Sequence, residues 1–150
     1  MELRELTSLA GVSGNENEVR SAIVGRLSAM GVHYETDVLG NVIARKGDKG
    51  PRVLVDAHMD EVGLVIVHIE KTGFLRFRSV GVPAAVLTSK RVLIGKDKVP
   101  GVIGAKAIHL QERRERDSVI PIEQLTIDIG AKSKDEAERK VKVGDYVVFD

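Results

Sequence analysis

The sequence predicts an α/β protein in two parts, the start of an α/β layer followed by a small β-rich, barrel-like domain. Two helical patterns and three short strand patterns come first, an order typical of an α/β layer. From Val62 onward, short apolar runs alternate with turns, as in a small barrel or sandwich. We therefore expect one domain at residues 1–62 and a second at residues 63–150.

Two helices are predicted near the start of the chain. The first is indicated by leucines three residues apart, at Leu3, Leu6 and Leu9. The second has one apolar stripe, formed by Val19, Ile23, Leu27 and Met30. Asn15 followed by Glu18 resembles a capping box at the start of the second helix, and Gly31 favours the left-handed conformation that ends it.

Three strands are expected next. Residues 32–36 and 42–45 flank the turn signal Gly40-Asn41. The third strand is predicted from Val53 to Ala57, a short apolar run bounded by Pro51. Because it is apolar on both faces, we expect it to be covered on both sides, as in the centre of an α/β sheet.

The second half of the sequence predicts hairpins. Strands are expected at residues 62–70, 74–80, 91–94, 102–103, 125–129 and 146–149. A turn containing Gly73 joins the first two, and Ser133 with Glu136 resembles a capping box that starts a short helix. Residues 111–117 carry charges of both signs and are predicted to be an exposed loop.

Composition excludes several classes of function. The 150 residues have a net charge of +1, which gives no reason to expect a nucleic acid or an anionic membrane as a partner. Without cysteine there are no disulfides, thiolate nucleophiles or cysteine-bound zinc. No apolar run is long enough to cross a bilayer, and the first residues do not resemble a signal peptide, so we expect a cytoplasmic protein.

The stretch most suggestive of chemistry is His58-Met-Asp60, which directly follows the third predicted strand. On extended backbone, side chains two residues apart leave the same face. This suits a metal-binding histidine whose second ring nitrogen is held by a carboxylate. The alternative is a polar strand end in which Asp60 only fixes a neutral imidazole, because two residues are too few to complete a zinc site.

Other candidate residues have weaker support. Structural roles are the better interpretation for the remaining histidines, His33, His68 and His109. The alternatives are His68 as a third ligand and His109 as a residue that approaches the site across a subunit interface. Nucleophilic catalysis has no support, because no histidine and aspartate lie near Ser13, Ser79 or Ser89 in the sequence. Asp60 and Glu61 point to opposite faces of an extended chain, which argues against a glycosidase pair. We expect Glu61 at the surface or beside the site, and Asp56 in a structural pair.

Six stretches together resemble one family: Gly11-Val-Ser-Gly14, Asp37-Val-Leu-Gly-Asn41, Ala57-His-Met-Asp-Glu-Val-Gly63, Pro100-Gly-Val-Ile-Gly104, Ile127-Asp-Ile-Gly-Ala131 and Val143-Gly-Asp145. In this order they are similar to the M42 metallo-aminopeptidases. The resemblance covers essentially the whole chain, but members of that family are considerably longer.

The resemblance implies a two-metal α/β peptidase domain that is interrupted by a β-rich insert used in dimer contact. His58 then corresponds to a ligand of the metal, zinc or cobalt with two ions per complete site, and Asp60 to the catalytic aspartate that orients His58. The general-base glutamate and the other ligands would lie outside these 150 residues, so we expect weak or absent metal binding by this chain alone.

Two hypotheses about function follow. The first is a metal-dependent aminopeptidase that removes N-terminal residues from peptides and forms homo-oligomers through the insert. The alternative is a catalytically incomplete fragment or half-enzyme that acts as an oligomerisation module. A β-domain that binds peptide ends by strand addition is a third interpretation, with no residue that selects a ligand.

Overall fold

The structure is a computed structural model that describes residues 3–105 and 118–150. The chain divides into two compact units, residues 1–61 and residues 62–150. His109 and the charged segment 111–117, for which a structural role and an exposed loop are predicted, lie outside the described residues. Within the described part, no helix is both long and apolar enough to cross a membrane.

The first unit contains two helices and one hairpin. Its elements are α1 (Leu3–Thr7), α2 (Asn17–Ala29), β1 (Tyr34–Thr36) and β2 (Val42–Ala44). The strands β1 and β2 pair antiparallel, so both predicted helices and the first two predicted strands are confirmed. Gly31 follows α2 with a φ of +65°, the left-handed conformation expected of it.

The start of α2 differs from the prediction. The helix is capped by Glu16, whose side chain makes no capping hydrogen bond, and not by Asn15. The Glu18 carboxylate accepts a hydrogen bond from the main-chain N–H of Ala10 at 3.1 Å. The capping-box prediction was therefore wrong. Glu18 instead links α2 to the segment that precedes it.

The turn between β1 and β2 is organised by Asp37. Its carboxylate accepts hydrogen bonds from the main-chain N–H groups of Leu39 and Asn41 and from the Asn41 side chain. The bond from the Asn41 side chain is the largest cause that holds the pKa of Asp37 below its ordinary value.

The predicted third strand is absent. Residues 53–57 form no strand, and the side chains of Val53, Leu54 and Val55 are 82%, 89% and 90% exposed. A central strand exists only if neighbouring strands accept and donate its main-chain hydrogen bonds. Within the described residues no segment pairs with this run. The predicted strand and its predicted burial were therefore both wrong for the described residues, because a local apolar pattern does not supply the neighbouring strands.

The second unit is a closed six-stranded barrel, which confirms the barrel-like part of the predicted fold. Its strands are β3 (Gly63–Ile69), β4 (Leu75–Val80), β5 (Arg91–Ile94), β6 (Val99–Gly104), β7 (Thr126–Asp128) and β8 (Tyr146–Phe149). They are arranged in the order β3-β4-β7-β6-β5-β8, and all neighbours pair antiparallel. Closure leaves the sheet without a free edge.

The barrel interior is filled by aliphatic side chains from every strand. The fully buried members include Leu64, Ile66, Leu75, Ile94, Ile103, Ile127 and Val147. Burying one such side chain is worth about 1.5–3 kcal/mol, so this core is the main source of stability for the unit. The alternation of apolar and polar residues that predicted these strands places one set of side chains inside the barrel.

A short helix, α3 (Lys134–Glu138), begins with the predicted capping box. The Ser133 hydroxyl accepts a hydrogen bond from the main-chain N–H of Glu136 at 3.3 Å. The Glu136 carboxylate accepts one from the main-chain N–H of Lys132 at 3.0 Å. This second bond is the largest cause that lowers the pKa of Glu136 from its ordinary value.

Candidate functional site

The candidate site lies where the segment Gly11–Ser13 runs beside residues 60 and 61. Val12, which is 1% exposed, pairs with Glu61 in a parallel bridge. The N–H of Glu61 donates to the carbonyl oxygen of Gly11 at 2.7 Å, and the N–H of Ser13 donates to the carbonyl oxygen of Glu61 at 3.2 Å. Two main-chain hydrogen bonds thus align the two segments.

Glu61 adds a side-chain contact to this arrangement. Its Oε1 accepts a hydrogen bond from the N–H of Gly11 at 3.1 Å. A Cβ atom on Gly11 would lie 2.8 Å from Cγ2 of Val19 and 3.1 Å from the carbonyl oxygen of Met59. Glycine is therefore required by close packing. Glu61 acts as an anchor for the backbone, which is a more specific role than the surface or neighbouring position we predicted.

Asp60 lies between His58 and Ser13. The Ser13 hydroxyl donates a hydrogen bond to Oδ2 of Asp60. Nδ1 of His58 lies 3.0 Å from Oδ1 of Asp60 and 2.9 Å from the main-chain oxygen of the same residue. The expected contact between His58 and the Asp60 carboxylate is thus present, although the segment does not form the predicted strand.

These contacts determine which ring nitrogen of His58 is protonated. A carbonyl oxygen only accepts hydrogen bonds, and an ionised carboxylate does the same. Nδ1 faces both, so it carries the proton, and the neutral ring keeps its lone pair on Nε2. The His58 side chain is 85% exposed, which leaves Nε2 accessible to a metal ion.

Asp60 is held in its charged form. The hydrogen bond from Ser13 is the largest cause that lowers the pKa of the Asp60 carboxyl. The hydrogen bond with His58 acts in the same direction, as does the charge of His58 when its ring is protonated. Partial desolvation opposes them. A charged carboxylate at Nδ1 strengthens the hydrogen bond and makes Nε2 a better electron-pair donor.

The position of Ser13 corrects one prediction. We expected no histidine and aspartate near Ser13, but the structure places its hydroxyl on Asp60, next to His58. The order of contacts still argues against a nucleophile. A nucleophilic serine needs its hydroxyl on the imidazole that accepts its proton, with the carboxylate on the far side of the ring. Here the carboxylate stands between the hydroxyl and the ring.

The residues that are present fit one corner of a metal site. Zinc takes four ligands, three or more from the protein. Across residues 3–105 and 118–150, no group of three or more histidines, aspartates and glutamates could hold a metal ion. His33 and His68 are exposed. Asp56 is also exposed, and the structural pair predicted for it stays a prediction. Nε2 of His58 therefore fits as a single ligand.

Comparison with known proteins identifies the family. The family model described as M42 glutamyl aminopeptidase matches residues 40–150, which include His58 and Asp60. The putative aminopeptidase FrvX of Escherichia coli is 38% identical over 97% of this chain and 42% of its own length. The lysyl aminopeptidase of Pyrococcus furiosus is 35% identical over 91% of this chain and 41% of its own length.

A solved structure shows the same fold. The TET1 peptidase of Pyrococcus horikoshii, which can assemble into a tetrahedron or a large octahedral shell, superposes with a TM-score of 0.87. It is 41% identical, and the match covers 98% of this chain and 45% of that one. The chain thus spans less than half the length of the relatives it matches. It belongs to the M42 glutamyl aminopeptidase family.

Proposed function

We propose that this chain is part of a metal-dependent aminopeptidase that removes N-terminal residues from peptides, with His58 as a metal ligand and Asp60 as the residue that orients it. The observation that carries the proposal is the pair of acceptors at Nδ1 of His58, at 2.9 Å and 3.0 Å. They leave Nε2 unprotonated and accessible. Membership of the M42 family supports the assignment of the reaction.

The chemistry is divided between the ion and the protein. When bound, two divalent ions such as zinc or cobalt supply Lewis-acid activation of the scissile carbonyl and of a water molecule. His58 provides one donor atom. Asp60 holds the His58 ring in one tautomer and one orientation, so that metal binding requires no rearrangement of these two residues.

The remaining parts of the site are assigned outside these residues. Because the chain spans 42% of the Escherichia coli relative, we place the general-base glutamate and the other metal ligands in a further segment. One imidazole binds zinc weakly by itself, so the chain alone should be inactive. The two units then correspond to the first part of the α/β peptidase domain and to the insert, whose barrel is proposed to mediate self-association.

A test joins the chain to the segment that it lacks relative to its family. A chimera would carry this chain followed by the remaining part of the Escherichia coli relative, and it would be assayed on aminoacyl p-nitroanilides with added zinc or cobalt. We expect turnover by the chimera, loss of turnover in its His58→Ala variant and no turnover by the 150-residue chain. A folded chimera that is inactive with both metals contradicts the proposed function. Turnover by the chain alone contradicts the incomplete site.

A second candidate function is an interaction module without catalysis. It is favoured by the exposure of Val53, Leu54 and Val55, which in a finished α/β layer would be covered. The chain would then be a half-enzyme that associates with a copy of itself or with a complementary chain. Light scattering at micromolar concentration tests self-association, and a strictly monomeric chain argues against it.

A further inference from the structure

We propose that Ser13 is a positioning residue for His58. Its hydroxyl holds the Asp60 carboxylate in the orientation in which Oδ1 accepts the proton of Nδ1. By this indirect contact Ser13 keeps Nε2 of His58 available as a donor. The inference deepens the proposed function and rests on it for its relevance to metal binding, but the contacts themselves are independent of any metal.

The first argument is the division of the Asp60 oxygens between two partners. Oδ2 accepts from the Ser13 hydroxyl, and Oδ1 faces Nδ1 of His58 at 3.0 Å. A carboxylate with one bound oxygen still rotates about its terminal torsion, which is broad in energy. A donor on the second oxygen restricts that rotation and holds Oδ1 at the ring.

The second argument is that Ser13 is itself fixed. Its main-chain N–H donates to the carbonyl oxygen of Glu61 at 3.2 Å, and the preceding residue, Val12, is buried. Glu61 directly follows Asp60 in the chain. The hydroxyl and the carboxylate are therefore carried by two backbone segments that are hydrogen-bonded to each other. Ser13 is a rigid support, unlike a solvated side chain on a loop.

The third argument concerns the direction of the hydrogen bond. An ionised carboxylate has no proton to give, so the Ser13 hydroxyl must be the donor. The hydroxyl proton is used on Asp60, which agrees with a positioning role and leaves Ser13 unsuited to attack a substrate. Threonine preserves the donor, whereas alanine removes it and leaves the main-chain hydrogen bonds of the segment in place.

The test is the tautomer of His58, measured by long-range ¹H–¹⁵N NMR on the ¹⁵N-labelled 150-residue chain without metal. The spectra are recorded at about pH 8.5, where free histidine is neutral. A His58→Gln variant assigns the signal. We expect the Nδ1–H form in the wild type, a mixture of both forms in Ser13→Ala, and recovery of Nδ1–H in Ser13→Thr.

Ser8→Ala is the matched control, because the Ser8 hydroxyl bonds to the carbonyl oxygen of Glu5, in the same unit but away from Asp60. It should leave the His58 signal unchanged. A well-dispersed amide spectrum shows that each variant is folded. If Ser13→Ala does not fold, Ser13→Cys provides the comparison, since a thiol is a much weaker donor in the same place.

Zinc titration of the same samples gives a second readout. Loss of a residue that supports a ligand typically weakens metal binding by 10–100-fold, and we expect about tenfold at the His58 resonance in Ser13→Ala. A wild-type tautomer in Ser13→Ala or Ser13→Cys overturns the proposal, as does an Nε2–H form in the wild type. A wild type that shows the expected tautomer supports the positioning role even if the chain alone binds no zinc, and the metal role is then judged by whether turnover of the chimera depends on His58.

Discussion

Nδ1 of His58 is 3.0 Å from Oδ1 of Asp60 and 2.9 Å from the main-chain oxygen of Asp60. Both contacts come from one residue, and one of them does not depend on its side chain. A change of the Asp60 side chain should therefore weaken the preference for the proton on Nδ1 of His58 without removing it. The effect of the Asp60 charge on His58 can therefore be measured separately from the effect of having an acceptor atom beside Nδ1.

Asp60→Asn is expected to weaken zinc binding at His58 by at least tenfold. The amide keeps an oxygen acceptor, but it has no charge to strengthen the hydrogen bond at Nδ1. The zinc dissociation constant, followed at the His58 NMR signals, checks this. Asp56→Asn is the matched control, because Asp56 is an exposed aspartate in the same segment. Equal effects of the two substitutions would show that only the overall charge of the segment matters.

The pH dependence of stability should include a contribution from Glu136. The main-chain N–H of Lys132 holds the pKa of Glu136 below its ordinary value of 4.5 in the folded chain. A carboxyl with a lowered folded-state pKa stabilises the fold above its unfolded-state pKa, and this stabilisation disappears as the pH falls through the folded-state pKa. Stability should therefore decrease when the solution is acidified below about pH 4.5.

Comparison of wild type with Glu136→Gln isolates this contribution. Glutamine keeps an oxygen for the Lys132 N–H but does not titrate. The wild type should melt at a higher temperature at pH 7, and the difference should shrink as the pH falls below 4.5, the ordinary value for this group. Glu138→Gln, on the same helix, is the control for loss of charge, since Glu138 pairs with the Lys134 side chain. A difference in melting temperature that does not depend on pH would contradict the linkage.

The features that were predicted best from the sequence are those that depend on residues close together in the chain. The barrel strands followed from alternation of apolar and polar residues, and the Ser133 capping box from a spacing of three residues. The third strand failed for the opposite reason. Val53 to Val55 are apolar enough for a buried strand, but a strand also needs hydrogen-bonding neighbours, and a local pattern carries no information about them.

The site shows the same limit. The contact between His58 and Asp60 was predicted from their spacing, because it joins residues two apart, whereas their metal-site roles came from the family resemblance. Ser13 was missed as a partner, because its contact with Asp60 crosses 47 residues of sequence. No periodicity connects the two segments. The useful signal was the Gly11-Val-Ser-Gly14 stretch, the first of the six that resemble the M42 family, because its first three residues align the site.

Gly73 is expected to be one of the least replaceable residues of the barrel unit. It has a φ of +92°, and a Cβ atom there would lie 2.5 Å from the carbonyl oxygen of Ala131. Gly73→Ala therefore combines a left-handed backbone, which costs about 1–2 kcal/mol, with a contact that the backbone must move to relieve. Chemical denaturation should show a loss of more than about 2 kcal/mol in the free energy of unfolding.

Gly130→Ala separates these two effects. Gly130 has a φ of +73°, but apart from Gly130 and its two chain neighbours, no atom of the described residues lies within 4 Å of the position that a Cβ atom would occupy. This variant should lose only the backbone contribution of about 1–2 kcal/mol. If both variants lost the same amount, the close approach to Ala131 would have no energetic consequence.

Under the second candidate function, Leu54→Lys is expected to reduce association of the chain without changing its stability. Leu54 is 89% exposed, and substitutions at exposed positions usually change the free energy of unfolding by no more than about 0.5 kcal/mol. If the run Val53–Val55 mediates self-association, a charge in its centre should shift the chain toward the monomer, because burying an unpaired ammonium group is costly. Light scattering over a concentration series measures this shift.

Val67→Lys is the control, a charge introduced at an exposed position on β3 of the barrel unit, with Val67 42% exposed. A larger shift toward the monomer in Val67→Lys than in Leu54→Lys would assign the contact to the barrel and leave the apolar run without a role in self-association.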